Sequence, residues 1–190
     1  LTVLILLIIP ISFAHENDTL GVESSLNDSI AVSNDVYFDT NATHDHGAGT
    51  VDDPYRELRD GRILDNSVIH LKNGEYDYIQ LNEHKNITFI GQSPEKTVIN
   101  GNGGTLTVKN KLVLANVTVC NLNILNRGNL YATNALFTNS TSSERGGYGG
   151  AIYCADVSNN VYLTNCTFTN NYAQYGGAIY LGGGILEANL

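Results

Sequence analysis

The stretch that decides the fold is Gly146–Leu181, GGYGGAIYCADVSNNVYLTNCTFTNNYAQYGGAIYL, which contains one phrase twice. Tyr148-Gly-Gly-Ala-Ile-Tyr153 returns as Tyr175-Gly-Gly-Ala-Ile-Tyr180. A second phrase, Leu130-Tyr-Ala-Thr-Asn-Ala-Leu-Phe-Thr-Asn139, returns as Val161-Tyr-Leu-Thr-Asn-Cys-Thr-Phe-Thr-Asn170, at a slightly longer interval. Self-similarity at a period of about 20–50 residues marks a solenoid, propeller or array.

Upstream, Val68–Leu71, Tyr78–Leu81, Asn86–Gly91, Lys96–Gly101, Thr105–Val108 and Leu112–Val119 read as short strands separated by turn residues, with no helical period. Short strands without crossover helices form a sandwich or a parallel β-helix. The repeat selects the β-helix, because stacked coils place like residues above one another. The fold class is therefore all-β, a right-handed single-stranded parallel β-helix with a short N-terminal capping helix. In the second phrase, alternation turns Val161 and Leu163 inward, then Cys166, Phe168 and Asn170 with opposite parity, so Asn165 falls at a corner. Phe137 and Phe168 are expected to stack, with Val119 on the same column, and Asn139 and Asn170 to form an internal amide ladder. Gly149-Gly150 and Gly176-Gly177 permit sharp corners between the faces of each coil, and Ile152 and Ile179 belong to the same structural repeat.

The chain of 190 residues has a net charge of −9, and all of it lies between His15 and Asp60. The repeat body is neutral, and no basic patch exists to meet phosphates, so nucleic acid is excluded as a partner. Leu1–Ala14 is an apolar run that reads as the core of a secretory signal peptide, too short for a membrane span. Without an initiator Met or a terminal cap, the sequence is expected to be a fragment, with any membrane anchor lying outside it. Residues 15–48 are polar and acidic and read as a disordered leader. The β-helix then occupies 49–190, with a cap over 49–66 and coils over 67–190. Asp53-Pro54 reads as the start of the cap helix, running to about Ile63 and burying Leu58.

Secretion draws attention to the Asn-x-Ser/Thr sequons at Asn17, Asn27, Asn41, Asn86, Asn116, Asn139 and Asn165 as candidate glycosylation sites. Cys120, Cys154 and Cys166 are too few for a disulfide scaffold. One pair could form, but Cys166 aligns with Ala135 and reads as a small buried apolar residue. His44-Asp45-His46 is too isolated to indicate a metal, and no cofactor is expected. Tyr148, Tyr153, Tyr175 and Tyr180 read first as half-buried strand-end aromatics and second as a carbohydrate-stacking platform.

NCTFTNNYAQYGGAIY resembles the repeat of polymorphic outer-membrane-protein-type β-helices. GTVDDPYRELRDG…SVIHLKNGEYDY…NITFIGQSPEKTVINGNGG is similar to the opening of pectin-lyase-like β-helices. Together, behind a signal peptide and an acidic leader, they most resemble the adhesin-like surface proteins of methanogenic archaea. The resemblance covers Gly49 to Leu181. It implies a secreted or cell-surface protein that attaches to cell-surface glycans or to host or microbial surface proteins. Enzymes of the superfamily need converging carboxylates. From Gly101 onward the acids are only Glu144, Asp156 and Glu187, so no catalytic residue is assigned. The alternatives are a polysaccharide lyase or glycoside hydrolase, an autotransporter passenger and a structural wall protein.

Overall fold

The computed structural model describes residues 34–78, 85–142 and 147–189, and these form a β-solenoid built almost wholly of parallel strands. The chain opens with β1 (Asn34–Phe38) and returns after a long irregular segment to β2 (Ser67–Leu71), β3 (Gly74–Asp77), β4 (Ile87–Gly91) and β5 (Thr97–Val108). There follow β6 (Lys111–Ala115), β7 (Thr118–Asn126), β8 (Asn129–Thr133), β9 (Leu136–Thr138), β10 (Thr141–Ser142) and β11 (Ile152–Cys154). The last elements are β12 (Asn160–Thr164), β13 (Thr167–Thr169), β14 (Tyr172–Ala173), β15 (Ile179–Leu181) and β16 (Ile185–Asn189).

The first face of the solenoid is the sheet β1-β2-β4-β6-β8-β12-β16. A second runs through β3, the start of β5, the start of β7, β9 and β13, and a third through the ends of β5 and β7, β11 and β15. Coil length varies. Lys111 pairs with Asn129, closing a short coil, whereas Asn129 pairs with Asn160, closing a much longer one. The duplicated second phrase lies in perfect register, Leu130 beside Val161 and Phe137 beside Phe168.

The corners are made by asparagines. Asn116, Asn134 and Asn165 turn the chain from the first face to the second, Asn121 turns it from the second to the third, and Asn139 and Asn170 turn it out of the second face. All six are left-handed, with φ between 49 and 57°. Asn tolerates this conformation because its short amide bonds locally, whereas other side chains are strained there. At the first corner the amides also bond to one another: Asn165 Nδ2 donates to Asn134 Oδ1 (2.8 Å), and Asn134 Nδ2 to Asn116 Oδ1 (3.1 Å). The residue following each corner turns inward, giving the column Val117, Ala135 and Cys166. Between the faces, inward aliphatic and aromatic residues form one continuous core from Phe38 to Leu163. Phe137 and Phe168 stack with centroids 4.8 Å apart, and Val119 pairs with Phe137 in the preceding coil.

Four expectations require correction. The ladder is not at Asn139 and Asn170, which are exposed; it is at the corner one strand earlier. Left-handed backbone at those two residues points their side chains away from the core. The strand expected over Leu112–Val119 is broken by Asn116 into β6 and β7, again because Asn takes the corner conformation. The expected leader is partly solenoid, since Val36 and Phe38 alternate inward within a polar context and β1 pairs along its whole length with β2. Finally, no α-helix spans Pro54–Ile63. The segment is irregular apart from a single 3₁₀ turn at Asp60–Arg62. The Asp53 carboxylate accepts from Ala48 N–H (2.9 Å), folding a loop where a helix cap was expected. Tyr55 bridges to Phe38 and its N–H donates to Tyr37, so the segment adds a rung beyond β1. Leu58 and Ile63 are nonetheless buried, and capping is achieved without a helix. The strand expected at Tyr78–Leu81 lies mostly outside the described residues.

Asn134 occupies the centre of the amide ladder, so its replacement separates the two contributions. We predict that Asn134→Ala lowers unfolding free energy by about 2 kcal/mol, from a strained left-handed residue and two lost exposed or part-buried hydrogen bonds. Asn134→Gly, which accepts the conformation, should lose only about 1 kcal/mol. Urea unfolding of both variants checks this, and an equal or larger loss in the glycine variant would contradict it.

Candidate functional site

In the coil containing β7, one residue, Asn121, separates the second face from the third. In the next two coils the chain leaves after Asn139 and Asn170 and rejoins the third face only at Ile152 and Ile179. These detours are the two copies of the YGGAIY region, and they pair with each other as a ridge on the side of the solenoid. β10 pairs with β14, Tyr148 bridges to Tyr175, and the amides of Gly149, Gly150 and Ala151 donate to Tyr175, Gly176 and Ala178.

The ridge is fastened to the body by polar groups buried for that purpose. Fully buried Ser140 accepts the N–H of Leu122 at its hydroxyl, 3.2 Å. Asn171 Oδ1 accepts the Ser140 N–H (3.0 Å), and Asn171 Nδ2 donates to the Phe137 carbonyl (2.9 Å). On β7, outward-facing Asn123 donates to the carbonyls of Gly149 (2.5 Å) and Gly150 (3.1 Å). Leu125, also outward by alternation, is buried. The end of β7 is thus covered on both faces, which its nearly unbroken apolar and amide run Leu122–Asn126 could have signalled. Gly149 is left-handed (φ 56°), and a Cβ on Gly150 would stand 2.0 Å from the carbonyl oxygen of Gly177. The glycine pairs, expected as corners between faces, lie instead in the ridge, where they are needed because two backbones meet.

Where ridge and third face join, the tyrosines of both copies converge. Tyr153 and Tyr180 are outward neighbours on β11 and β15. The Tyr148 ring lies 5.5 Å from Tyr153, 5.1 Å from Tyr175 and 4.6 Å from Tyr180, and Tyr153 lies 5.8 Å from Tyr180. These spacings suit favourable aromatic contact. Tyr148, Tyr153 and Tyr180 are half-buried, while Tyr175 and Tyr172 are exposed. A further outward pair, Tyr131 and Tyr162, stacks on the first face at 4.8 Å.

The carboxylates are arranged differently. Of the acids noted after Gly101, Glu144 lies outside the described residues, Asp156 sits at the corner after β11, and Glu187 is outward on β16. Glu75 and Asp77, which sequence reading passed over, are adjacent outward residues of β3. Each accepts an amide, from Asn100 (2.6 Å) and Asn102 (3.0 Å). They border a cleft of about 420 Å³ with Thr40, Arg56 and Arg59. Among the described residues no group of three or more His, Cys, Asp or Glu stands together as a metal site. All three cysteines are free thiols, and burial pushes each of them up in pKa. Cys154 is fully buried and accepts a bond from Asn126.

The sequons separate by environment. Asn41 and Asn139 are exposed. Asn86 donates to Asp65, and Asn116 and Asn165 belong to the amide ladder. Asn17 and Asn27 lie outside the described residues. No family model, curated protein or solved structure matches this chain.

Because Gly150 sits against the neighbouring backbone, we predict that Gly150→Ala detaches the ridge and costs about 1–3 kcal/mol by overpacking. Limited proteolysis should then cut within 147–151 while the strands of the first face stay protected. Unchanged resistance would show that the close approach is not required.

Proposed function

We propose that this protein is a secreted or cell-surface adhesin-like molecule, a non-catalytic β-helical stalk that mediates attachment. The observation that carries the reading is the lateral tyrosine ridge. The repeat already stacks coils through its corners and core, and the ridge adds to these a cluster of large amphipathic rings, three half-buried and one, Tyr175, exposed. Contiguous exposed aromatic surface on a soluble domain marks an interaction site, and Tyr is among the residues most enriched in such sites. The resemblance to adhesin-like β-helices and the apolar leader support an extracellular location. The partner class is a cell-surface glycan or surface protein.

A second reading, a carbohydrate-active enzyme of the pectin-lyase-like type, is favoured by Glu75 and Asp77. Two carboxylates on alternate residues of one strand stand on the order of 7 Å apart along it, within the span an acid–base pair uses. Against it, each is already bonded to an amide of the next coil, as in a structural ladder.

Inert beads coated with the purified chain should adhere to at least one of a panel of microbial and animal cell surfaces. Tyr148→Ala/Tyr175→Ala should reduce adhesion severalfold; adhesion to no surface, or adhesion indifferent to the tyrosines, removes the support for this reading. Incubation with plant and microbial polysaccharides should release no reducing ends or unsaturated products. Release that disappears in Glu75→Gln or Asp77→Asn would establish the enzyme instead.

A further inference from the structure

We infer that the ridge binds an uncharged glycan chain lying along the solenoid axis, an inference that rests on the attachment reading above. From Gly147 to the end the sequence contains no Lys, Arg or His, and only Asp156 and Glu187 as acids. Among the described residues of that stretch a sulfated or uronate polymer would find no cation to offset its charge, and the two carboxylates would oppose it; Glu144 and Arg145, in the first detour, cancel in net charge. The polar groups flanking the rings are amides and phenols, which donate to and accept from neutral hydroxyls equally well.

Ring presentation comes next. Tyr175 is 48% exposed and Tyr172 68% exposed. Gln174, between buried Ala173 and Tyr175, is itself exposed, and its amide lies 3.5 Å from the Tyr175 hydroxyl. Among the described residues no protein group bonds the hydroxyls of Tyr148, Tyr153 or Tyr180. A pyranose has an apolar C–H face and a rim of hydroxyls, so it matches a surface of aromatic rings edged with free phenols and amides. A Tyr ring also loses little side-chain freedom on binding, since only two torsions are fixed.

The direction follows from the repeat. Tyr148 and Tyr175 occupy equivalent places in successive coils, as do Tyr153 and Tyr180, with rings 5.1 and 5.8 Å apart. Equivalent groups repeated along the axis are met in turn by a polymer that runs the same way. A chain of several sugars therefore meets more of the rings than a single sugar does.

Affinity electrophoresis in native gels containing soluble starch, galactomannan or hydroxyethylcellulose tests this, with polygalacturonate and heparin as anionic counterparts. At least one neutral polymer should retard the chain, the anionic polymers should not, and longer oligosaccharides of that polymer should compete better than shorter ones. Tyr175→Ala and Tyr172→Ala, both at exposed positions, should weaken retardation on the order of tenfold, the effect of losing an aromatic anchor, with the thermal midpoint unchanged. Equal retardation by anionic polymers, indifference to both substitutions, or competition by monosaccharide alone would overturn the inference. If bead adhesion depends on the tyrosines but no neutral polymer retards the chain, the ligand class is wrong and attachment stands. If adhesion is absent as well, both readings fall.

Discussion

The structure depends on asparagine's ability to reverse the backbone at low cost. Each corner must bend the chain within one residue and return it to the register of the coil beneath. Six asparagines do this in the left-handed conformation, where most side chains meet their own carbonyl. Three of them, Asn116, Asn134 and Asn165, also bond amide to amide with one another, so the residue that permits the turn also ties it to the next. Once corners coincide, strands pair in parallel, and the inward columns fall over one another without further instruction. The Phe137–Phe168 stack and the Val117, Ala135, Cys166 column are consequences of corner alignment.

Much of this was legible in the sequence because stacking writes itself as repetition. The duplicated phrases carried the fold class, the Phe stack, the inward turn at Cys166 and the corner at Asn165. Other features were not legible, for identifiable reasons. Asn139 and Asn170 look like ladder positions because the phrase ends on them, yet the same chemistry serves an exposed turn. Asn116 sits within an apolar run that alternates convincingly on both sides, so only its backbone angle reveals the break. The capping segment contains helix-start chemistry at Asp53-Pro54, but its carboxylate is used by Ala48 and its backbone by β1. β1 was hidden because two inward residues among acids do not raise mean hydropathy.

The tyrosine cluster was half legible. Its members could be named, but their convergence could not, because it depends on a detour whose seat, Asn123 and Leu125, lies in a different coil and has no counterpart in the repeat. Glu75 and Asp77 were missed for a related reason. Alternating acids on a strand look like an ordinary solvated face until the neighbouring coil supplies Asn100 and Asn102.

The two phrases do not recur at the same interval: the step from Leu130 to Val161 is longer than the step from Tyr148 to Tyr175. The described pairing places that difference between Ser142 and Tyr148, since Ser142 pairs with Ala173 and Tyr148 with Tyr175. The coils are again in step by Tyr148, before the chain re-enters the body at β11. The flank of the solenoid therefore takes up a difference in length that the fixed spool does not register. Residues can be gained or shed on it without turning a single core side chain, so the outer surface is free to diversify while the spool stays constant.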